Sequence, residues 1–277
     1  MPRFPRPIVA ASVLACLALL GASKPIQVRP LRVCADPNNL PYSNGKHQGF
    51  EDKLAELVGR ELHRPVKYFY WAQRRGFIRN TLNAGHCDII MGTAAGLEMV
   101  ATTKPYYRST YTFVSKESGP DIRSLDDPRL HTAKVGVQLI GDDFNNTPPA
   151  AGLTRRGIVR NVRGYTVYGD YREPNPPSRI VKAVETGEVD VALVWGPLAG
   201  YFAKRSPVPL RVVPIAPHAD GPVPYTFAIA MGVRKADTAF RDSLDQVIAR
   251  RRGEIDRLLK DYGVPLVEGT ASASTGR

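Results

Sequence analysis

The chain has 277 residues and a formal charge of +12, from 38 basic and 26 acidic side chains. That length allows one large domain or two of ordinary size, and the charge favours encounter with an acidic partner or surface without saying anything about fold. The three cysteines show no CxxC or CxxCH spacing and the histidines no HxxxH, so there is no metal set and no haem attachment.

The N-terminus reads as an export signal over residues 1–23. Arg3 and Arg6 precede a 13-residue apolar run, Ile8–Leu20, and Gly21-Ala22-Ser23 supplies small residues before a cleavage point. Thirteen residues fall short of the roughly 20 needed to cross a bilayer, and no later segment is apolar enough. Leu14-Ala15-Cys16 also resembles a lipoprotein site, but Leu17–Leu20 would continue the apolar run past the anchored cysteine. Cleavage leaves 254 residues (277 minus 23) and a charge of +10, since two arginines are lost (12 minus 2). A periplasmic location argues against nucleic acid as the acidic partner. The densest basic run, Arg250-Arg251-Arg252, is followed by Glu254 and Asp256 and reads as a solvated helix face.

Leu31–Ala35 is expected as a buried strand, followed by a polar turn through Asp36-Pro37-Asn38-Asn39 and Pro41–Gly45. Phe50, Leu54, Leu57, Val58 and Leu62 then recur at helical spacing. Strands follow at Val66–Trp71 and Cys87–Met91, with a short helix at Phe77–Ala84 between them. Ser109–Ser115 leaves this first unit. A second set runs through strands at Val135–Gln138, Val162–Tyr168, Val189–Trp195 and Leu210–Val213, with helices at Arg179–Glu185 and Pro197–Arg205. Gly141–Pro149 reads as a polar, proline-containing loop. The chain recrosses at Ala216–Pro224, then forms a strand at Phe227–Val233 and a single amphipathic helix at Thr238–Tyr262. The tail from Glu268 is small and polar and is expected to be disordered.

Gly85–Gly92 and Gly187–Val194 share one plan, in which a helix ends at Gly and a strand begins near an Asp. Two α/β lobes joined by two crossings enclose a cleft, with ligands at the carboxyl ends of the strands and hinge bending as the natural motion. Cys34 and Cys87 fall on strands expected to be neighbours. They are either a disulfide or two buried thiols, and an oxidising compartment favours the disulfide.

Several stretches carry a more specific likeness: DPNNLPYSN (Asp36–Asn44), QRRGFIRNTL (Gln73–Leu82), PYYRSTY (Pro105–Tyr111), GDDFNNTPP (Gly141–Pro149), GYTVYGDY (Gly164–Tyr171) and VWGPLAGYFAKR (Val194–Arg205). Over Leu31 to Pro265 the chain resembles type 2 periplasmic solute-binding proteins, in particular the quinoprotein-dehydrogenase-associated subgroup linked to methanol oxidation. The resemblance implies an α/β, two-lobed fold with two hinge crossings and a central cleft. Lobe 1 is expected over 31–114 plus 217–265, lobe 2 over 115–216, and a disordered tail over 266–277. It also implies an accessory role towards a pyrroloquinoline-quinone-dependent alcohol dehydrogenase or its cytochrome c. A solute receptor of an ABC transporter is the alternative.

The amino-acid-binding branch of that fold clamps the ligand carboxylate with a Thr-x-x-Arg loop. Here the loop is Thr93-Ala94-Ala95-Gly96, and the strand near Asp190 runs into Trp195-Gly196-Pro197 instead of an ammonium-binding acid. An amino acid would find no partner for either charge. Asn38, Asn39, Tyr42 and Ser43 are candidates for lining the cleft, or for forming its turn and helix cap. Arg74 and Arg75 are candidates for a basic contact surface, with Arg79 reading as solvated helix face. Tyr106, Tyr107 and Tyr111 lie near the hinge and either line the cleft or pack it. Asp142 and Asp143, with Asn145 and Asn146, are oxygen-rich, but the spacing is not a Ca²⁺ loop and suits caps and turns. Tyr168, Asp170 and Tyr171 form a candidate interface, and Trp195 either closes the cleft or stacks a ligand. No nucleophile elbow, zinc helix, phosphate loop or dinucleotide fingerprint is present. The expectation is a binding protein with no cofactor, no metal and no catalytic residue.

Overall fold

The computed structural model describes Met1 and residues 28–139, 146–166 and 171–268. The rest of the expected signal, Asp142, Asp143, Asn145, Tyr168, Asp170 and the tail beyond residue 268 lie outside the described residues.

The first unit comprises β1 (Leu31–Ala35), a hairpin of β2 (Asn38–Asn39) and β3 (Ser43–Asn44), α1 (Phe50–Glu61), β4 (Val66–Tyr70), α2 (Phe77–Asn80), β5 (Ile89–Ala94) and β6 (Ala101–Thr102). The long strand β7 (Tyr107–Lys116) leaves it. Next come β8 (Val135–Leu139), α3 (Pro148–Arg155), β9 (Val162–Thr166), α4 (Arg179–Thr186), β10 (Val191–Trp195), α5 (Gly196–Ala203) and β11 (Leu210–Pro214). A hairpin of β12 (Ala219–Asp220) and β13 (Val223–Pro224) leads into β14 (Thr226–Val233), α6 (Thr238–Arg250) and α7 (Arg252–Asp261).

The strands are ordered β4-β1-β5-β14-β7-β10-β8-β9, with β6 added to β14 and β11 to β7. Pairing is parallel among β4, β1 and β5 and among β10, β8 and β9, whereas β14 and β7 run antiparallel to their neighbours. Strand β7 joins the two halves. Tyr107–Thr110 pair with β14, while Tyr111–Ser115 pair with β10 and Thr112–Lys116 with β11. A strand shared this way is buried on both faces, so its hydroxyls need internal acceptors. Ser109, Thr110, Thr112 and Ser115 donate to the carbonyls of Pro265, Tyr225, Val194 and Pro120, at 2.6–3.1 Å.

The hydrophobic core divides in the same way. One cluster packs Leu31, Phe50, Leu54, Ile89, Tyr106, Met231 and Val247 around α1, α6 and α7. The second lobe has a cluster on each face, around Phe113, Leu153 and Leu193 on one and Ile180, Val184 and Leu198 on the other. Tyr225, inside the stretch that the sequence reading assigned to lobe 1, packs in the second lobe's cluster.

The internal repeat extends to individual bonds. Gly85 and Gly187 both take φ +77°, a left-handed turn that glycine adopts without strain. Asp88 N–H donates to the Arg32 carbonyl and its carboxylate accepts the Arg32 N–H; Asp190 does the same with Lys134. Each Asp thus ties the start of one strand to its neighbour.

Two helices depart from the sequence reading. The Gly141–Pro149 loop gives way to α3 at Pro148, because two prolines at the first helical positions forfeit only N–H groups that would lack partners there. The expected Thr238–Tyr262 helix breaks at Arg251 into α6 and α7. Unbroken, it would place Arg251, four residues from both Val247 and Ile255, on the apolar stripe. The break instead lets Arg251 reach the Glu61 carboxylate at 2.6 Å.

Candidate functional site

The loop after β1 folds back as the β2–β3 hairpin, and its carbonyls receive the first N–H groups of α1. Phe50 N–H donates to Pro41 O and Glu51 N–H to Tyr42 O, at 2.8 and 2.9 Å. Asp52 accepts from Gly49 N–H and Asn44 N–H, the reciprocal half of a cap whose N-cap glycine has no side chain to offer. Asp36 is buried and accepts from the Asn38 and Gln73 N–H groups at 2.8 and 2.7 Å. Burial raises its pKa, against the pull of those two bonds. These contacts hold the hairpin, the Gln73 loop and the N-terminus of α1 as one wall.

Between that wall and the second lobe lies a cavity of about 380 Å³, open to solvent. Asn39, Tyr42, Glu51, Gln73, Gly92, Thr93 and Tyr107 line the first-lobe side, and Tyr111, Gln138, Pro148, Trp195, Leu198 and Phe227 the other. Asn39 donates to the Gln73 side-chain carbonyl at 2.8 Å, which orients both amides. Tyr111, Trp195 and Phe227 meet edge to face, with centroids 5.2–6.4 Å apart. The Trp195 N–H donates to the Gln138 side chain at 3.2 Å.

Glu51 is the carboxyl group of this lining. It is 9% exposed, and no hydrogen bond or ion pair from the described residues reaches its side chain. Burial, with the neighbouring Asp52, pushes its pKa up to about 8. Asp52 rises to about 6, chiefly by burial, although the Gly49 and Asn44 N–H groups oppose this. Gly92 makes room for Glu51: a Cβ there would lie 2.0 Å from Glu51 Oε1.

The candidate residues separate in space. Asn39, Tyr42, Thr93, Tyr107 and Trp195 line the cavity. Asn38 sits at its rim, where its side chain donates to the Glu173 carbonyl at 2.7 Å and accepts the Asn175 N–H at 3.0 Å, spanning the lobes. Ser43 is buried in the hairpin and exchanges bonds with the Asp36 backbone. Tyr106 is fully buried and donates to Met91 O at 3.0 Å, so it packs the core and does not line the cavity. Arg74 and Arg75 are exposed around an adjoining concavity that shares Gln73, Gly92 and Thr93 with the main one. Cys34 and Cys87 form a disulfide with Cα atoms 5.5 Å apart.

Glu51, Gln73, Gln138 and Phe227 were missed as site residues. Glu51 carried a signal: it lies three, four and seven residues before Leu54, Ala55 and Val58, on the buried stripe of α1. Gln138 and Phe227 carried none, because their position depends on how β8 meets β10 and β14 meets β7.

A family model described as bacterial extracellular solute-binding proteins, family 3, matches residues 31–265. The chain belongs to that family. Within it, this solute-binding protein is 32% identical over 261 residues to Protein MoxJ of Methylorubrum extorquens, covering 89% of this chain and 84% of that one. Among solved structures, the periplasmic binding protein XoxJ from Methylobacterium extorquens AM1 superposes with a TM-score of 0.71 at 35% identity, covering 86% of this chain and all of the other. MxaJ from Methlophaga aminisulfidivorans MPT gives 0.75 at 27%, covering the same shares. The fold is therefore that of the periplasmic binding proteins, and the cavity occupies the cleft between its lobes.

Proposed function

We propose that this solute-binding protein is exported to the periplasm and acts there, without catalysis, as an accessory to a pyrroloquinoline-quinone-dependent alcohol dehydrogenase. In this reading it aids assembly or activation by contacting the dehydrogenase or its cytochrome c. One observation carries the proposal. The described lining of the cleft has no guanidinium or ammonium to hold a ligand carboxylate, so the grip used on amino acids is missing from a chain similar to MoxJ, XoxJ and MxaJ. The positive charge supports an acidic partner. The exposed Arg74 and Arg75, beside the cleft, are proposed as part of the contact surface. A single carboxyl in the described lining, without a paired base or nucleophile there, supports binding over catalysis. The test is a pull-down from the periplasm of a methylotroph with the tagged chain as bait. Recovery of a quinoprotein dehydrogenase subunit or its cytochrome is expected, and its repeated absence would sink the proposal.

The cavity between the lobes favours a second reading, a receptor delivering a small molecule to an ABC transporter. A thermal-shift screen separates the two, since a tight ligand raises the melting temperature by mass action.

A further inference from the structure

The whole chain is strongly basic, yet the cleft is not. Glu51 is the carboxyl group among its described lining residues, and no basic side chain of that lining stands beside it. A carboxyl group that is nine-tenths buried normally has a hydrogen-bond donor or a cation within reach. Glu51 has neither among the described residues, although Asp52 on the same helical turn holds two backbone N–H groups. Its carboxyl instead fills the space left by Gly92, where a side chain would collide with it. The acid thus stands in the wall of the cavity without a partner among the described residues.

The remaining walls suit one kind of occupant. Tyr42 and Tyr107 come from the first lobe's core, and Tyr111, Trp195 and Phe227 from the second. Aromatic faces attract cations, and cages of such rings recognise ammonium groups in particular. An ammonium group also remedies the isolation of Glu51, since an opposite charge nearby favours the carboxylate. The N-terminus of α1, where Glu51 sits in the first turn, favours the same ionised form. An anion would meet the ionised form of Glu51 unfavourably, and a zwitterionic amino acid would find no guanidinium or ammonium in the described lining for its carboxylate.

We propose that the cleft recognises a small organic ammonium ion without a carboxylate, its charge held by Glu51 and its alkyl groups walled by the aromatic rings of both lobes. This rests on the reading of the cleft as a small-molecule site and is independent of any dehydrogenase contact.

The test uses the purified chain and isothermal titration with choline and its neutral isostere, 3,3-dimethylbutan-1-ol. Choline should bind at least about tenfold more tightly than the alcohol, and Glu51→Gln should remove that preference. The variant keeps the shape of the side chain, and an unchanged circular dichroism spectrum and cooperative melt would show that any loss is not unfolding. Equal binding of both probes overturns the cation while leaving the cleft as a site. Binding of neither overturns both. Choline affinity unchanged in Glu51→Gln overturns the role of Glu51.

Discussion

Asn38 and Asn175 meet across the mouth of the cleft: the Asn38 side-chain carbonyl accepts the Asn175 N–H at 3.0 Å while its amide donates to Glu173 O. One side chain on the first lobe thus satisfies two backbone groups on the second. Each such bond contributes about 0.5–1.5 kcal/mol. Asn38→Ala should shift the closed–open balance towards open by roughly tenfold. Small-angle scattering should show a larger radius of gyration for the variant, and identical profiles would refute the bridge as a closure contact.

The buried acids set a pH dependence. Glu51, with Asp52 beside it and Tyr106 and Tyr107 packed near, has a folded pKa of about 8 against an ordinary 4.5. The folded state then holds a proton that the unfolded chain releases. Stability is full below pH 4.5 and falls as pH rises towards 8, by about 1 kcal/mol per pH unit. Asp52, raised to about 6, acts in the same direction over a lower range. Urea unfolding between pH 5 and 8.5 should show this decline, and Glu51→Gln should flatten most of it. A parallel decline in the variant would count against the assignment to Glu51.

Asp88 does the opposite. Burial raises its pKa, but the Arg32 and Arg234 side chains and the Arg32 N–H outweigh burial and hold it at about 2. Arg29 and Arg64 also approach it, giving four guanidiniums within 2.6–3.4 Å of one carboxylate. Its contribution is present above the ordinary carboxylate range and is lost as pH falls through about 2. Asp88→Asn should cost on the order of 2 kcal/mol at pH 7 in urea unfolding, because partly exposed arginines lose the counter-charge they share and water screens part of that loss. The penalty should shrink as the wild type is titrated towards pH 2.

The Cys34–Cys87 bond closes a loop with a sequence separation of 53 residues. Chain entropy places its contribution at about 4 kcal/mol. The double variant Cys34→Ala/Cys87→Ala should lower the unfolding free energy by up to that amount. The wild type in reducing agent should match it, and a variant as stable as the oxidised protein would contradict the estimate.

Local order is what the residues themselves determined: the apolar strands, the helical stripe Phe50-Leu54-Leu57-Val58, the paired Gly–Asp strand starts and the lack of an arginine after Thr93. These depend on periodicity and turn chemistry, which neighbours along the chain decide. Even there, reading failed where backbone economy or burial competed, as at Pro148-Pro149 and Arg251. Tertiary structure decided what faces the cleft. Tyr106 and Tyr107 are adjacent in sequence, yet one donates into the core and the other lines the cavity, because successive residues of an extended chain point to opposite sides. Glu51 became a site residue only when β5 brought Gly92 against it and the second lobe brought Tyr111, Trp195 and Phe227 opposite. Burial and the absence of a partner are properties of that packing, and no stretch of sequence contains them.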